Sequence, residues 1–200
     1  MDTSHMVDTD MSHLSIVAPN GDAVAVSSSI NSQFGSKRAS LSTGIIFNNA
    51  MNTFTSLDVS ITNGFPTSIH NKISPEKRPL SSMSPTIVVD GNGEIRLVIG
   101  GTGGSKITTA TAFVTTLNLW AGKDINEATN TPRIHHQLIP NIIEYESNFS
   151  KEVLEGLKLR GHEVRGMSDS KSGIMSIARG PTGQLYASSD YRRGGKTDGF

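Results

Sequence analysis

Apolar residues along the chain fall into short groups separated by polar stretches rich in Ser, Asn and Gly. His13 to Ala18 predicts a short strand. Ala23 to Ile30 alternates small apolar residues with Val, runs through Ser27, Ser28 and Ser29, and predicts a second. The turn Pro19-Asn20-Gly21-Asp22 joins them into an antiparallel hairpin. Thr86 to Asp90 and Ile95 to Ile99, joined through Asp90-Gly91-Asn92-Gly93, predict another hairpin. The run Gly100 to Gly104 then opens a helix, whose Ile107, Ala110, Val114, Leu117 and Ala121 recur on one face. A further helix starts after Ser150, with Val153, Leu154 and Leu157 inward and Gly161 as its stop. Ser172 to Ala178 and Leu185 to Ser189 form a last hairpin around Pro181-Thr182-Gly183, and the tail is Gly-rich and basic.

Between these elements the period is lost. Gly44 to Phe47 is a short apolar run followed by an Asn-rich segment. Residues 56–84, with Pro66, Pro75 and Pro79, read as a loop or flap, and loops of that length inside a domain are usually functional or disordered. Residues 1–11 read as a flexible arm and 12–200 as the domain. Hairpins with one-faced helices predict an α/β layered protein with mostly antiparallel sheets.

Composition narrows the function classes. The length of 200 residues suits one domain with a real core. Eighteen basic and 18 acidic residues balance, so nothing asks for nucleic acid or an anionic membrane as a partner. There is no Cys, which excludes a disulfide framework, a thiolate nucleophile and a Cys-rich metal site. No stretch reaches the roughly 18 apolar residues of a membrane span. Met1 to Asp10 is too polar for the apolar part of a signal peptide, so a secretion signal would lie elsewhere or in a longer precursor. One glycosylation sequon is present, Asn148-Phe149-Ser150.

Candidate chemistry is sparse. A phosphate-binding loop needs Lys directly after its last Gly, and here Ser105 precedes Lys106. The Gly run is a flexible turn, or a set of backbone N–H groups for an oxyanion at a helix start. Ser74-Pro75-Glu76-Lys77 has the Ser-x-x-Lys spacing of serine acylases without their partner motifs. His135 and His136 are adjacent and point apart, with no third ligand at metal spacing. No metal and no cofactor is expected.

The segment Lys77-Arg78-Pro79-Leu80-Ser81-Ser82-Met83-Ser84-Pro85-Thr86-Ile87-Val88 resembles the signature of the gamma-glutamyltranspeptidase (glutathione hydrolase) family. Its flanks are similar and collinear: Ile30-Asn31, Phe34-Gly35-Ser36 and Gly44 to Asn49 before it; Gly101 to Thr111, Trp120, Pro132 to His135, Gln137-Leu138, Pro140-Asn141 and Ser189-Asp190 to Phe200 after it. The similarity thins over residues 145–175. The resemblance implies the small subunit of an N-terminal-nucleophile hydrolase, an αββα four-layer sandwich cut from a precursor, with residues 1–11 as the end of a large-subunit-like region. In the family the new N-terminal Thr attacks a gamma-glutamyl carbonyl, usually of glutathione, and the acyl-enzyme passes to water or an acceptor. It further implies a large-subunit partner or self-association, and an extracellular or cell-surface location.

Carried over position by position, the resemblance implies an impaired active site. The family start, Thr and a small residue before His-Leu-Ser, is here Met11-Ser12-His13-Leu14-Ser15, so Met11 stands at the nucleophile. Ser29 matches the supporting hydroxyl and Asn31 the Asn beyond it. The two carboxylates that hold the donor's α-ammonium are replaced by Ala50 and Thr53. Ser81 and Ser82 match the pair that binds the donor's α-carboxylate beside an Arg of the large subunit, and Gly103 and Gly104 match the oxyanion donors. The expected protein is a pseudoenzyme. An active gamma-glutamyl hydrolase using a neighbouring hydroxyl, Ser12 or Thr9, remains an alternative, although Ser12 should face away along a strand. So does a fragment that serves only as a binding or structural partner.

Overall fold

The computed structural model describes residues 11–55, 61–62, 65–66, 68–167 and 172–199. Its elements are β1 (Met11–Val17), β2 (Ala23–Ser29), β3 (Ile61–Thr62), β4 (Phe65–Pro66), β5 (Thr86–Val89), β6 (Ile95–Thr102), α1 (Lys106–Leu119), α2 (Ile125–Asn130), β7 (Ile134–His135), β8 (Ile142–Tyr145), α3 (Lys151–Leu159), β9 (Glu163–Gly166), β10 (Gly173–Arg179) and β11 (Leu185–Ser189). A four-stranded antiparallel sheet runs β11-β10-β6-β5. The β1–β2 hairpin packs on one of its faces and α1 and α2 on the other. The core lies on the helix side, where Leu97, Ile99, Ile174 and Ala178 meet Ala110, Val114, Ile125 and Ala128.

The strongest local signals became these elements. Helix α1 takes the predicted stripe, with Ile107, Ala110 and Val114 buried and Leu117 packed at the margin. It ends at Leu119, so Ala121 lies beyond it. The chain enters α1 through Gly103 (φ 125°) and Gly104 (φ 60°), backbone that favours glycine. Helix α3 starts at Ser150, whose hydroxyl accepts from the Val153 N–H at 3.4 Å, and stops at Gly161 (φ 88°). Val153 is a correction: it is 47% exposed, whereas Leu154 is buried. Consecutive helix residues are turned by about 100°, and the inward stripe is centred on Leu154.

Two features carried no sequence signal. Helix α2 is a short helix whose cap, Asp124, accepts from the Glu127 N–H at 2.8 Å. Strands β7, β8 and β9 form a second sheet in which β8 and β9 are parallel, joined through α3. Each of β8 and β9 has four residues, too few for a visible alternation. The long segment read as a loop contains the β3–β4 pair, and parts of it lie outside the described residues.

The hairpin is inverted relative to an ordinary surface hairpin. Cross-strand pairs Leu14–Val26 and Ile16–Val24 share its outer face; Leu14 is 55% and Val24 50% exposed. The inner face carries His13, Ser15, Ala25 and Ser27 against the sheet. Gly100 makes room for that face, since a Cβ there would come within 2.2 Å of the His13 ring. Polar side chains inside and apolar pairs outside are the pattern of a middle layer whose second cover is another element.

A buried charge network fixes the tail to the core. The Arg133 guanidinium donates to Asp190 Oδ2, to the Thr129 carbonyl at 2.8 Å and to the Ser172 carbonyl at 3.2 Å. Arg192 donates to both Glu146 oxygens, at 2.8 and 2.6 Å, and to Asp190 Oδ1 at 3.1 Å. Asp190 also accepts from the Ile174 N–H at 3.0 Å, which ties the network to β10.

Candidate functional site

Met11, Ser29 and the approach to the Gly103-Gly104 turn meet at the first residue of β1. Met11 is the first residue of β1, not the last of an arm, and pairs with Ser29 across the hairpin. Its N–H donates to Thr102 Oγ1 at 3.3 Å, at the point where β6 leads into Gly103 and Gly104. The two glycines therefore lie one and two residues from a direct contact to Met11. After them the first turns of α1 close through Lys106 N–H to Gly103 O (3.3 Å) and Ile107 N–H to Gly104 O (3.1 Å). The positive end of α1 faces this corner.

Ser29 and Asn31 lead away from Met11 on the other side. Ser29 Oγ accepts from the Asn31 N–H at 2.9 Å. Asn31 is buried, with φ 72°, a left-handed conformation that Asn tolerates better than most residues. Its Nδ2 donates to the Asn49 carbonyl (3.2 Å) and to Asn49 Oδ1 (3.0 Å), which places Ala50 beside it. Thr53 Oγ1 donates to the Ala50 carbonyl at 2.8 Å. Asn71 Nδ2 donates to the Thr53 carbonyl at 2.7 Å, while Asn71 Oδ1 accepts from the Leu80 N–H at 3.1 Å. One amide thus joins the Ala50–Thr53 turn to the residue before Ser81 and Ser82. Ser81 Oγ accepts from the Met83 N–H at 3.3 Å.

Three of these connectors escaped the sequence reading: Thr102, Asn49 and Asn71. Thr102 was the one detectable case, as a hydroxyl inside a Gly run. Asn49 and Asn71 act across 18 residues each, which no local pattern encodes. The remaining candidates lie elsewhere. Ser12 is exposed on the outer face with Leu14, and Thr9 lies outside the described residues. Ser74 and Lys77 share an exposed turn, where Lys77 Nζ donates to the His70 carbonyl. His136 bonds Asn141 at 2.9 Å, while His135 is buried against Thr109 (2.8 Å) and Gln137 (3.0 Å). Among the described residues no three His, Asp or Glu side chains group as metal ligands, and no helix is long and apolar enough to cross a membrane.

Among the described residues the segments around this corner carry little negative charge. Between Asp22 and Asp90 the acids are Asp58 and Glu76 only, and from Ile95 to Lys123 there are none. Glu76 is exposed in the loop, and Asp58 lies outside the described residues. The nearest imidazole, His13, is held between Ser27 Oγ (2.8 Å) and Ser15 Oγ (3.1 Å). Burial pushes its pKa below the ordinary histidine value, as it does for His135. A neutral histidine in the folded state and a titrating one in the unfolded state, near pH 6.5, fix the sign. The unfolded chain binds more protons below that pH, so stability is full above it and is lost as pH falls toward the depressed folded values. Melting temperature is expected to fall from pH 7 to pH 5, and to fall less in a His13→Asn, His135→Gln variant. An equal slope in the variant would refute the assignment.

The profile of the gamma-glutamyltranspeptidase family matches residues 2–200. The chain belongs to the gamma-glutamyltranspeptidase family. Scoloptoxin SSD20 of Scolopendra dehaani is 44% identical over 192 residues, covering 96% of this chain and 98% of that protein. The glutathione hydrolase proenzyme of Escherichia coli K12 is 39% identical over 181 residues, 90% of this chain. The chain spans 31% of the length of that proenzyme. A solved Helicobacter pylori gamma-glutamyltranspeptidase superposes with a TM-score of 0.82 at 31% identity, over 90% of this chain and 98% of the matched one. The fold is accordingly that of the family's small subunit, an N-terminal-nucleophile hydrolase architecture.

Proposed function

We propose that the chain is the small-subunit region of a gamma-glutamyltranspeptidase-like protein that has lost turnover and retains a ligand pocket. The observation that carries this reading is Met11, where β1 meets Thr102 and the Gly103-Gly104 turn. Acyl transfer here requires a side-chain oxygen that gives up a proton as it attacks the carbonyl carbon. A thioether has no proton to give and forms no stable acyl ester. Of the neighbouring hydroxyls, Ser29 Oγ accepts from the Asn31 N–H, Thr102 Oγ1 accepts from the Met11 N–H, and Ser12 is exposed on the outer face. The His13 ring serves Ser15 and Ser27 and meets neither Ser29 nor Thr102 through a hydrogen bond.

In this reading Gly103 and Gly104 line the acyl oxygen, Ser81 and Ser82 the α-carboxylate, and Asn31, Ala50 and Thr53 the α-ammonium end. The outer face of the hairpin, with Leu14, Ile16, Val24 and Val26, would be covered by a large-subunit-like region corresponding to the rest of the E. coli proenzyme. An extracellular or cell-surface location belongs to the same proposal. The test is release of the chromophore from a gamma-glutamyl anilide by the purified chain supplied with its large-subunit region. No release above the buffer blank is expected. Release at the rate of an active relative would overturn the proposal, and acylation mapping with a glutamine analogue would then show which hydroxyl reacts.

A further inference from the structure

We propose that Asn148 is a modification site, the acceptor of an N-linked oligosaccharide. The inference rests on the extracellular or cell-surface location given under the proposed function, because a chain meets the glycan donor only on entering the secretory pathway.

Asn148-Phe149-Ser150 is the one place in the chain where Asn precedes Ser or Thr by two residues with no Pro between them. An acceptor side chain has to face solvent, be free of other bonds and have open surface around it, because the group it takes is bulky and hydrophilic. The structure meets all three conditions. The chain leaves β8 at Tyr145 and turns, with the Phe149 N–H donating to the Glu146 carbonyl at 2.9 Å. Glu146 is buried at the base of that turn, and Asn148 is exposed on it. The side-chain amides of Asn31, Asn49, Asn71 and Asn118 donate hydrogen bonds, whereas that of Asn148 bonds no described residue. Ser147 before it and Lys151 and Glu152 after it are exposed as well, so the turn has open surface on both sides.

The place of the turn in the fold suits the same role. The β7-β8-β9 sheet is held to the rest of the chain through α1: His135 on β7 bonds Thr109 at 2.8 Å, and Glu144 on β8 pairs with Lys106 at 3.3 Å. Helix α1 packs on the face of the main sheet opposite the β1–β2 hairpin. A glycan on the turn after β8 stands on that helix side and leaves the apolar face of Leu14, Ile16, Val24 and Val26 free to be covered. Ser150 serves twice. Its Oγ accepts from the Val153 N–H at 3.4 Å and caps α3, while the same hydroxyl completes the acceptor triplet.

The donor is an oligosaccharide carried on a polyprenyl diphosphate, and a host transferase supplies the catalysis. A bond forms between Asn148 Nδ2 and the anomeric carbon of the first sugar. The bond from that carbon to the diphosphate oxygen breaks, and the polyprenyl diphosphate leaves with the electron pair. The proton lost from Nδ2 balances the charge on the departing diphosphate. The side chain remains an amide, now secondary and carrying the glycan.

The experiment directs the full chain into the secretory pathway of a eukaryotic host cell with an added signal peptide. Secreted and cell-retained chains are both weighed by mass spectrometry before and after an N-glycosidase that cleaves the sugar–amide bond. The mass is expected to fall on treatment, with the peptide that contains Asn148 recovered in its deamidated form. Asn148→Gln is expected to abolish the mass loss and to melt at the temperature of the enzymatically deglycosylated chain, which separates loss of the glycan from loss of the fold. Ser150→Thr is expected to keep the glycan and Ser150→Ala to lose it. Unmodified Asn148 in a chain whose signal peptide has been removed, or a mass loss that persists in Asn148→Gln, overturns the inference. The location is read separately, by fractionating cells that make the natural precursor. Recovery from the cytosol alone sinks the location reading, while the glycan on the host-secreted chain decides the acceptor assignment by itself.

Discussion

Met11→Thr by itself is expected to restore almost no release of chromophore from a gamma-glutamyl anilide, whereas Met11→Thr with Ala50→Glu and Thr53→Asp is expected to restore it. On the proposed reading of Met11, Ala50 and Thr53, the two changes act on different free energies. Loss of a nucleophile removes on the order of 10⁶ in rate, because the step that forms the acyl bond has no partner atom. Loss of each ammonium contact removes roughly 1.5–3 kcal/mol of binding, so the two together weaken donor capture by about two to four orders of magnitude. A single repair therefore returns the reacting atom to a pocket that does not hold the donor. The rest of the corner is in place, with Ser29 across the hairpin from residue 11 and the Gly103-Gly104 turn beside it. The measurement is anilide release by the single and triple variants, each supplied with the large-subunit region, with mass spectrometry to show a cut before residue 11. Full recovery with Met11→Thr alone would mean that Ala50 and Thr53 do not stand at the ammonium. Silence of the cut, folded triple variant would place a further defect elsewhere in the site.

The residues that made this prediction possible were visible in the sequence because they sit in short, ordered motifs. His13-Leu14-Ser15 marks the start of β1, the Pro79-Leu80-Ser81-Ser82 run marks the loop proposed to hold the α-carboxylate, and the Gly run marks the entry to α1. What holds these motifs together was not visible. Alternation in β1 and β2 defines two faces without saying which is inside. The answer depends on Gly100 leaving space for the His13 ring, a contact between elements 87 residues apart. Asn71 joins Thr53 to Leu80 from inside a stretch with no period. The parallel β8–β9 pair forms only once α3 has crossed between them, and four-residue strands have too little pattern to announce it. Local pattern located the strands and helices, the resemblance to the family picked out the candidate residues, and long-range side-chain contacts positioned them.

Asp190→Asn is expected to be the most destabilising single change among those considered. Asp190 is fully buried and Arg133 is 2% exposed. Burial alone would push the Arg133 pKa down, and Asp190 is the first influence that opposes it. Neutralising Asp190 leaves the Arg133 guanidinium in the core with carbonyl acceptors at Thr129 and Ser172 and no contacting carboxylate. It also removes the charge on which Arg192 and the Ile174 N–H converge. Removing one partner of a buried pair typically costs about 3–5 kcal/mol. For a domain of this size each kcal/mol shifts the melting temperature by roughly 2–4 °C, so a drop of roughly 6–20 °C is expected. Replacing both partners by apolar residues, Arg133→Met with Asp190→Leu, is expected to be milder than the single change, because no charge is then stranded. Lys158→Ala, which breaks the exposed pair with Glu155, is expected to leave melting unchanged. If Asp190→Asn melts like the unaltered chain, the network is not what anchors the tail. If the double replacement is worse than the single one, the pair stabilises the fold through its own attraction and not only by avoiding a stranded charge. The prediction matters for the site as well: Asp190 bonds the Ile174 N–H on β10, and Gly173 beside it pairs with Thr102, the residue that holds Met11.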